Sequence, residues 1–487
     1  MRKEPNWDLL ITLIIFLFIF ALRMPYIANS PAEMGDMWRQ PDTESIARNF
    51  TEQHFNILYP QFNYDGPLPN YIQLEFQVTT FIIAVLYKLF GHSYIIARLV
   101  PTVFFMFSAL YLYLICRDTY DRQMAWIAVL IYGLIPLNLF YSRAIMPESA
   151  LLFFFLGSYY HFLRWLDEEN TPHLMLSGIY TALAISQKTP AVFIGLAMLG
   201  LCLAKYKAAF LKKGVLWAFA AVSLLPPYLY IKWSERVSEF KFVTWIAQKH
   251  IFPKVLGSAF SPEAWTFFKD TFPEAFTAAV LTLCVLGLAF LRPKKDAAVL
   301  ILTLAVVFET LLIVSVIKFK YYLIFLTPVA ALLAGKPLWL ATKKHKLGIL
   351  LAAVFIGYLF YTGTEITKPY YEEIPSITEF AEFIDQHTQE DDLVVIPFLD
   401  PARLSLSSRR GWRANIDLYD HIPRDIEGEL KFFEESGAKY FIVKDGYIYN
   451  DFDGSYLGYL EQNYQKLLFD DGYVMYVLDG TAKAGAQ

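Results

Sequence analysis

Charge is scarce in this chain. Asp, Glu, Lys and Arg make up 18% of its 487 residues, against about 25% in ordinary soluble domains, so its bulk is not solvated in the way a soluble enzyme is. No basic block is present either. The 42 Lys and Arg are dispersed and the net charge is −4, which excludes the electrostatic footprint of a nucleic-acid binder. Cysteine is rare: Cys116, Cys202 and Cys284 lie in or at the ends of apolar runs, without metal-ligand spacing, and read as packed thiols rather than a disulfide framework. What is abundant is apolar surface, with 56% hydrophobic and 17% aromatic residues and a mean hydropathy of +0.37.

A bilayer core is about 30 Å thick, so a spanning helix needs about 20 mostly apolar residues. Runs of this kind occupy approximately 8–24, 94–116, 123–141, 149–165, 173–187, 189–204, 214–232, 274–291, 297–317, 321–341 and 347–363. The first follows Met1-Arg2-Lys3 and has no small-residue cleavage site before Arg23, so it is expected to be a retained anchor. The sequence thus predicts an α-helical polytopic membrane protein of about eleven transmembrane helices.

Loop charge sets the topology. "NYIQLEFQVTTFIIAVLYKLFG", Asn70 to Gly91, carries Gln73, Glu75, Gln77 and Lys88 and is ambiguous as a span. If it lies at the interface, the loops 117–122, 164–173, 205–213, 292–296 and 342–346 fall on the cytoplasmic side with Arg2 and Lys3, as the positive-inside rule requires. If it crosses, all of those loops flip. The first arrangement is expected, with 70–91 a juxtamembrane helix, the N-terminus cytoplasmic, and a first outer loop at 25–93.

From about 364 the composition changes. "SITEFAEFIDQH" has helical apolar spacing and is followed by "DDLVVIPF", a short buried strand. "ELKFFEESGAKYFIVKDG" repeats helix, glycine stop and strand, and "YLGYLEQNYQKLLFDDGYVMYVLDG" gives a third repeat. The expected organisation is a transmembrane domain over 1–363 and an extracytoplasmic, soluble α/β domain over 364–487. The latter has no phosphate-binding glycine loop and no metal-spaced histidine cluster.

Chemistry is sought on the outer side, where polar groups near the bilayer need a reason. "WRQPDTESIARNF" places Arg39, Asp42 and Glu44 together. Asp42 reads either as the cap of an amphipathic helix or as a general base, and Asp36 is a rival carboxylate. "YSRAIMPES" supplies Arg143 and Glu148, the latter in the first turn of a proline-started helix, where the dipole alone would favour it. "ISQKTPAVF" sets Lys188 in a very short outer turn, and "VIKFKYYLIFLTP" sets Lys318 and Lys320 at the outer end of a span. These lysines break the charge rule that the other loops obey. With Arg143 they compose a cationic pocket suited to a phosphate. Trp38, Tyr64 and Tyr71 are candidate sugar-stacking platforms.

Taken in order, these pieces resemble the polytopic GT-C glycosyltransferases, in the branch holding protein O-mannosyltransferases and lipid A aminoarabinose transferases. The resemblance covers about 1–363. "DTESIARNF" is similar to the first-loop aspartate motif, 70–91 to an interfacial helix, "YSRAIMPES" to an Arg/Tyr turn before a proline-started span, "SQKTP" to a lysine turn and "KFKYYLIFLTP" to a late-span entry. Where many relatives have adjacent Asp-Glu in the first loop, Thr43 here separates Asp42 from Glu44. The resemblance implies Asp42 as general base and Glu148 as a second acidic group. It implies Lys188 and Lys320 on the phosphate of the lipid carrier, with Lys318 and Arg143 in the same set; Arg39, close to Asp42 in the chain, is a further candidate for carrier-phosphate binding.

The implied reaction is an inverting transfer of a sugar from a polyprenyl-phosphate carrier to an acceptor, whether lipid, glycan or protein, at the outer face of a prokaryotic inner membrane. No cofactor is required by this reading, and a divalent cation is left open. Two other function classes fit some of the same residues: a transporter or flippase of a lipid-linked or anionic solute using the lysines, and a scaffold or sensor whose α/β domain binds a partner.

Overall fold

The computed structural model describes residues 7–478 except 68, 240 and 420; Arg2 and Lys3, used in the topology argument, lie outside the described residues. The chain divides into two compact units. One comprises Met1–Asn29, Gln73–Val237 and Lys241–Glu372; the other comprises Ser30–Ile72, Ser238–Phe240 and Glu373–Gln487. The second unit therefore joins most of the first outer loop to the C-terminal segment, a grouping that the expected boundary at 363/364 does not follow.

The first unit is helical, with a helix at each of the eleven apolar runs. Among the described residues, six helices are long and apolar enough to cross a membrane, or seven if one bent pair counts as a single span. The multi-pass character holds, while the number fixed by length and composition is smaller than the eleven expected. Several of the runs are short, as in Trp7–Ala21 and Arg122–Leu134. The expected span 274–291 is broken: Pro262–Phe276 and Ala278–Ala289 meet at 98°. Thr277 sits between them at φ 68° and its hydroxyl accepts from Val280 N, ending one helix and capping the next. The expected helix 70–91 is confined to Val78–Phe90.

Packing in this unit follows from lipid solvation. Phe105, Leu112, Ile131, Tyr132, Leu156 and Tyr159 form part of a buried core. Large apolar residues such as Trp217, Leu225 and Val354 stay exposed, as befits surfaces that meet acyl chains rather than water.

The second unit is α/β, built on a five-stranded mixed sheet. Its strands are β1 (Leu393–Ile396), β2 (Arg410–Arg413), β3 (Ala438–Lys444), β4 (Gln465–Leu468) and β5 (Tyr473–Val477), in the order β2-β1-β3-β5-β4. β1 is parallel to β2 and β3, whereas β5 is antiparallel to β3 and β4. The helices Pro375–His387, Ile426–Glu435 and Ser455–Asn463 stand where the sequence places them, but the third repeat ends in a β4–β5 hairpin rather than one strand.

Gly411 in β2 is dictated by its neighbour. It pairs with Val394, and a Cβ there would overlap the Val394 carbonyl. On its other side, Gly411 N donates to Asn63 O at 3.1 Å and Gly66 N donates to Gly411 O at 3.2 Å. The loop that carries Tyr64 is thereby fastened along the edge of β2.

Candidate active site

The candidate residues fall into both units, Asp42 and Arg39 in the second and the others in the first. Asp42 is on the helix Arg39–Glu52, which begins earlier than the sequence implied. Capping is done by the rival carboxylate: Asp36 Oδ1 accepts from Arg39 N at 2.8 Å and Trp38 N at 3.3 Å. Asp42 is inside the first turn, and the cap reading is replaced. Its neighbours on that helix are nearly all buried, from Gln40 to Ala47, which is why a helix so polar in sequence is not a surface helix.

Asp42 itself is 2% exposed. Tyr64 OH donates to its Oδ2 at 3.0 Å and Ser405 Oγ donates to its Oδ1 at 3.0 Å. Burial pushes its carboxyl up to about 7, against the opposing pull of Arg39, the two hydroxyls and Arg413. Tyr64, expected as a stacking platform, is buried and holds the carboxylate instead. Behind it, Arg413 on β2 lies 4.7 Å over the Tyr64 ring. Its Nε donates to Asp65 Oδ1 at 3.1 Å and its Nη2 to Oδ2, an oxygen that also accepts from Tyr419 OH. The ion pair is almost fully enclosed.

In the first unit, Glu148 opens the helix Glu148–Glu168 and Lys188 stands at the break between Thr171–Gln187 and Thr189–Phe193. The two meet at 2.6 Å, both buried. Lys188 Nζ also lies 4.2 Å over the Tyr321 ring and 4.0 Å over that of Tyr322. Glu309, in the apolar helix Ala297–Glu309, is buried within electrostatic reach of Lys188. Lys188 is thus no solvated turn residue but a cation between two carboxylates and two aromatic faces. Glu148 Oε2 has no hydrogen-bond partner among the described residues.

Lys320 begins the 3₁₀ turn Lys320–Phe325, directly before those two tyrosines. Its Nζ donates to Glu274 Oε1 at 2.7 Å and to Tyr370 OH at 2.8 Å. Lys318 ends the preceding helix in the left-handed region, φ 54°. Arg143 is buried, donates to Tyr26 O at 3.2 Å and lies 4.4 Å over Tyr371, where Tyr26 and Tyr371 stack at 5.2 Å; this is a packing arrangement. Glu148, Lys188 and the turn that begins at Lys320 are brought together.

Sequence reasoning missed Ser405, Asp65, Arg413, Tyr419, Glu274, Tyr370 and Glu309. Only Glu309 carried a signal, as an acid inside a long apolar run. Among the described residues, no three or more His, Cys, Asp or Glu come together as a metal-ion site.

This architecture is that of a multi-pass membrane protein with the GT-C glycosyltransferase fold. Residues 77–233, which hold Glu148 and Lys188, match the family model described as dolichyl-phosphate-mannose-protein mannosyltransferase. A crystal structure of ArnT from Cupriavidus metallidurans bound to undecaprenyl phosphate is similar with a TM-score of 0.72 at 14% identity, covering 100% of both chains. The Archaeoglobus fulgidus oligosaccharyltransferase in its apo form is similar with a TM-score of 0.64 at 13% identity, over 95% of this chain and 73% of that one. The archaeal oligosaccharyltransferase AglB from the same organism, in complex with an inhibitory peptide and a dolichol-phosphate, gives 0.64 at 13%, over 98% and 74%. No curated protein matches in sequence.

Proposed function

We propose that this chain is an inverting glycosyltransferase that moves a sugar from a polyprenyl-phosphate carrier to an acceptor, at the outer face of a prokaryotic inner membrane. The observation that carries this reading is Asp42: a fully buried carboxylate, met by two hydroxyls, whose proton affinity is raised to about 7. A general base works best when its pKa lies near the working pH, and that position suits Asp42 to take a proton from an acceptor hydroxyl or amine. The deprotonated acceptor attacks C1 of the sugar, the bond from C1 to the phosphate oxygen breaks, and the carrier phosphate leaves as an anion.

Lys188 and Lys320 are the groups suited to that anion, a preorganised electrostatic contribution that commonly dominates such catalysis. Glu148 and Glu274 keep the two ammonium groups in place before the carrier arrives. A polyprenyl-phosphate carrier is supported by two structural relatives, ArnT and AglB, which are seen with undecaprenyl phosphate and a dolichol-phosphate. Lys318, two residues before Lys320, is assigned supporting positive charge around the same phosphate. The sugar–phosphate bond supplies the driving energy, and no step is routed through a metal.

The test uses purified full-length protein and a panel of polyprenyl-phosphate sugars, reading release of polyprenyl phosphate. Release by the wild type that disappears in Asp42→Asn is the expected result. Consumption of none of the donors, or undiminished release by Asp42→Asn, overturns the reading.

A further inference from the structure

A carboxylate that cycles between ionised and protonated forms needs partners that serve both. The two groups touching Asp42 have that property. A hydroxyl donates to a carboxylate and, turned about its C–O bond, accepts from a carboxylic acid. An arginine in bidentate contact would instead fix the ionised form. The structure has such an arginine nearby, but Arg413 is engaged with Asp65 and Tyr419. Arg39, on the same helix as Asp42, acts on it through charge.

Ser405 is the less expected of the two hydroxyls. It is fully buried in the short helix Ala402–Leu406, where Ser405 N donates to Pro401 O at 2.8 Å. Its carbonyl accepts from Arg48 Nη2, and Arg48 is paired with Glu44 at 2.9 Å on the helix that carries Asp42. Ser405 is therefore pinned through its backbone to the same helix whose aspartate its side chain touches. Tyr64 is pinned on the opposite side by the fastening of its loop to β2 and by the Arg413 guanidinium over its ring.

We propose that Ser405, together with Tyr64, is a positioning residue for the Asp42 base, so that the C-terminal segment completes the hydrogen-bonding environment of a carboxylate 363 positions earlier in the chain. The proposal rests on Asp42 acting as base and gives the C-terminal segment a part in the chemistry beyond acceptor recognition. The groups facing Asp42 are Arg39 from its own helix, Tyr64 from the 61–66 loop, Ser405 from the 402–406 helix and Arg413 from β2. Of these, Ser405 can lose its hydroxyl with the least change in volume.

The experiment is an infrared pH titration of the full-length protein in detergent, in which the carboxyl band of Asp42 is identified by its disappearance in Asp42→Asn. The wild-type midpoint is expected near 7. The hydroxyl serves the ionised form more strongly than the protonated one, and the midpoint moves by that difference alone, so Ser405→Ala is expected to raise it by about half to one pH unit. Ser405→Thr, which restores the hydroxyl, is expected to return it, and Tyr64→Phe to raise it comparably. In the donor-release assay, with whichever polyprenyl-phosphate sugar the wild type consumes, the acid limb of Ser405→Ala follows the same displacement while the rate recovers at high pH.

An unmoved midpoint in Ser405→Ala overturns the proposal, as does a rate loss equal at every pH. Full donor release by Asp42→Asn overturns the base reading itself, so the two failures are told apart by different variants.

Discussion

Replacing Asp42 by asparagine is expected to stabilise the protein above neutral pH while abolishing sugar transfer. Asn keeps the shape of the side chain and accepts from Tyr64 OH as before, and the Ser405 hydroxyl turns to accept from the new amide. What is removed is a buried charge. Burial raises the Asp42 carboxyl from 3.8 to about 7. At about 1.4 kcal/mol per pH unit, that displacement corresponds to about 4 kcal/mol of folding free energy. The sign follows from proton uptake. Between about 4 and about 7 the folded protein retains a proton that the unfolded chain has lost, so wild-type stability is full at the acid end, falls as pH rises through that window and is level above it. The variant lacks this slope. Thermal unfolding followed by intrinsic fluorescence in detergent is expected to give equal midpoints at pH 4 and a higher one for Asp42→Asn at pH 8. The midpoint moves by about 2–4 °C per kcal/mol at 150–250 residues and by less in larger chains, so for these 487 residues the gain is on the order of 5 °C. Equal or lower stability of the variant at pH 8 would refute the reasoning, because the ionised Asp42 would then be well solvated by its surroundings.

Removing one member of the buried Lys188–Glu148 pair, as in Lys188→Ala, leaves the other charge uncompensated. A loss of about 3–5 kcal/mol is expected, read by thermal midpoint, whereas the double replacement Lys188→Met with Glu148→Met recovers stability and not donor release. Gly411→Ala forces a methyl into the Val394 carbonyl and is expected to detach β2, read as rapid proteolysis within 373–478 at a temperature where the wild type resists. Arg413→Lys loses the two-pronged contact with Asp65; an ammonium cannot reproduce it, and a loss of about 2 kcal/mol or more is expected by denaturant titration. For topology, a cysteine introduced at Ser455, exposed in the structure, is expected to react in intact cells with a maleimide that cannot cross membranes; protection until the cells are lysed would place the C-terminal segment on the cytoplasmic side.

The apolar runs and the lysines within them were legible because a charge in such surroundings is conspicuous in a linear text. Lys188 and Glu148, 40 positions apart in the chain, were each visible for that reason. Their pairing depends on the fold and was not. The break at Thr277 escaped because it needs a positive φ at a threonine, which no propensity suggests and only tertiary contacts stabilise. β2, "RGWR", has neither apolar alternation nor length and exists because its backbone fits between β1 and the 63–66 loop. Asp36 and Asp42 both sit near a helix start, and residue type alone could not assign the cap to one and burial to the other. Ser405 is the extreme case: a serine among serines, given meaning by one distance.

The assembly of the second unit also sets an order in time. Its first stretch, Ser30–Ile72, is synthesised early, and the strand to which the 63–66 loop is fastened lies at Arg410–Arg413. At about 5–20 residues per second, the ribosome needs on the order of tens of seconds to travel between them. Throughout that interval the helix bearing Asp42 has neither Ser405 nor the β2 edge, and its polar, buried-to-be face is open to water and to chaperones. The surroundings of Asp42 are therefore among the last parts of this protein to mature, and a chain interrupted anywhere before Ser405 carries an aspartate without its second hydroxyl partner.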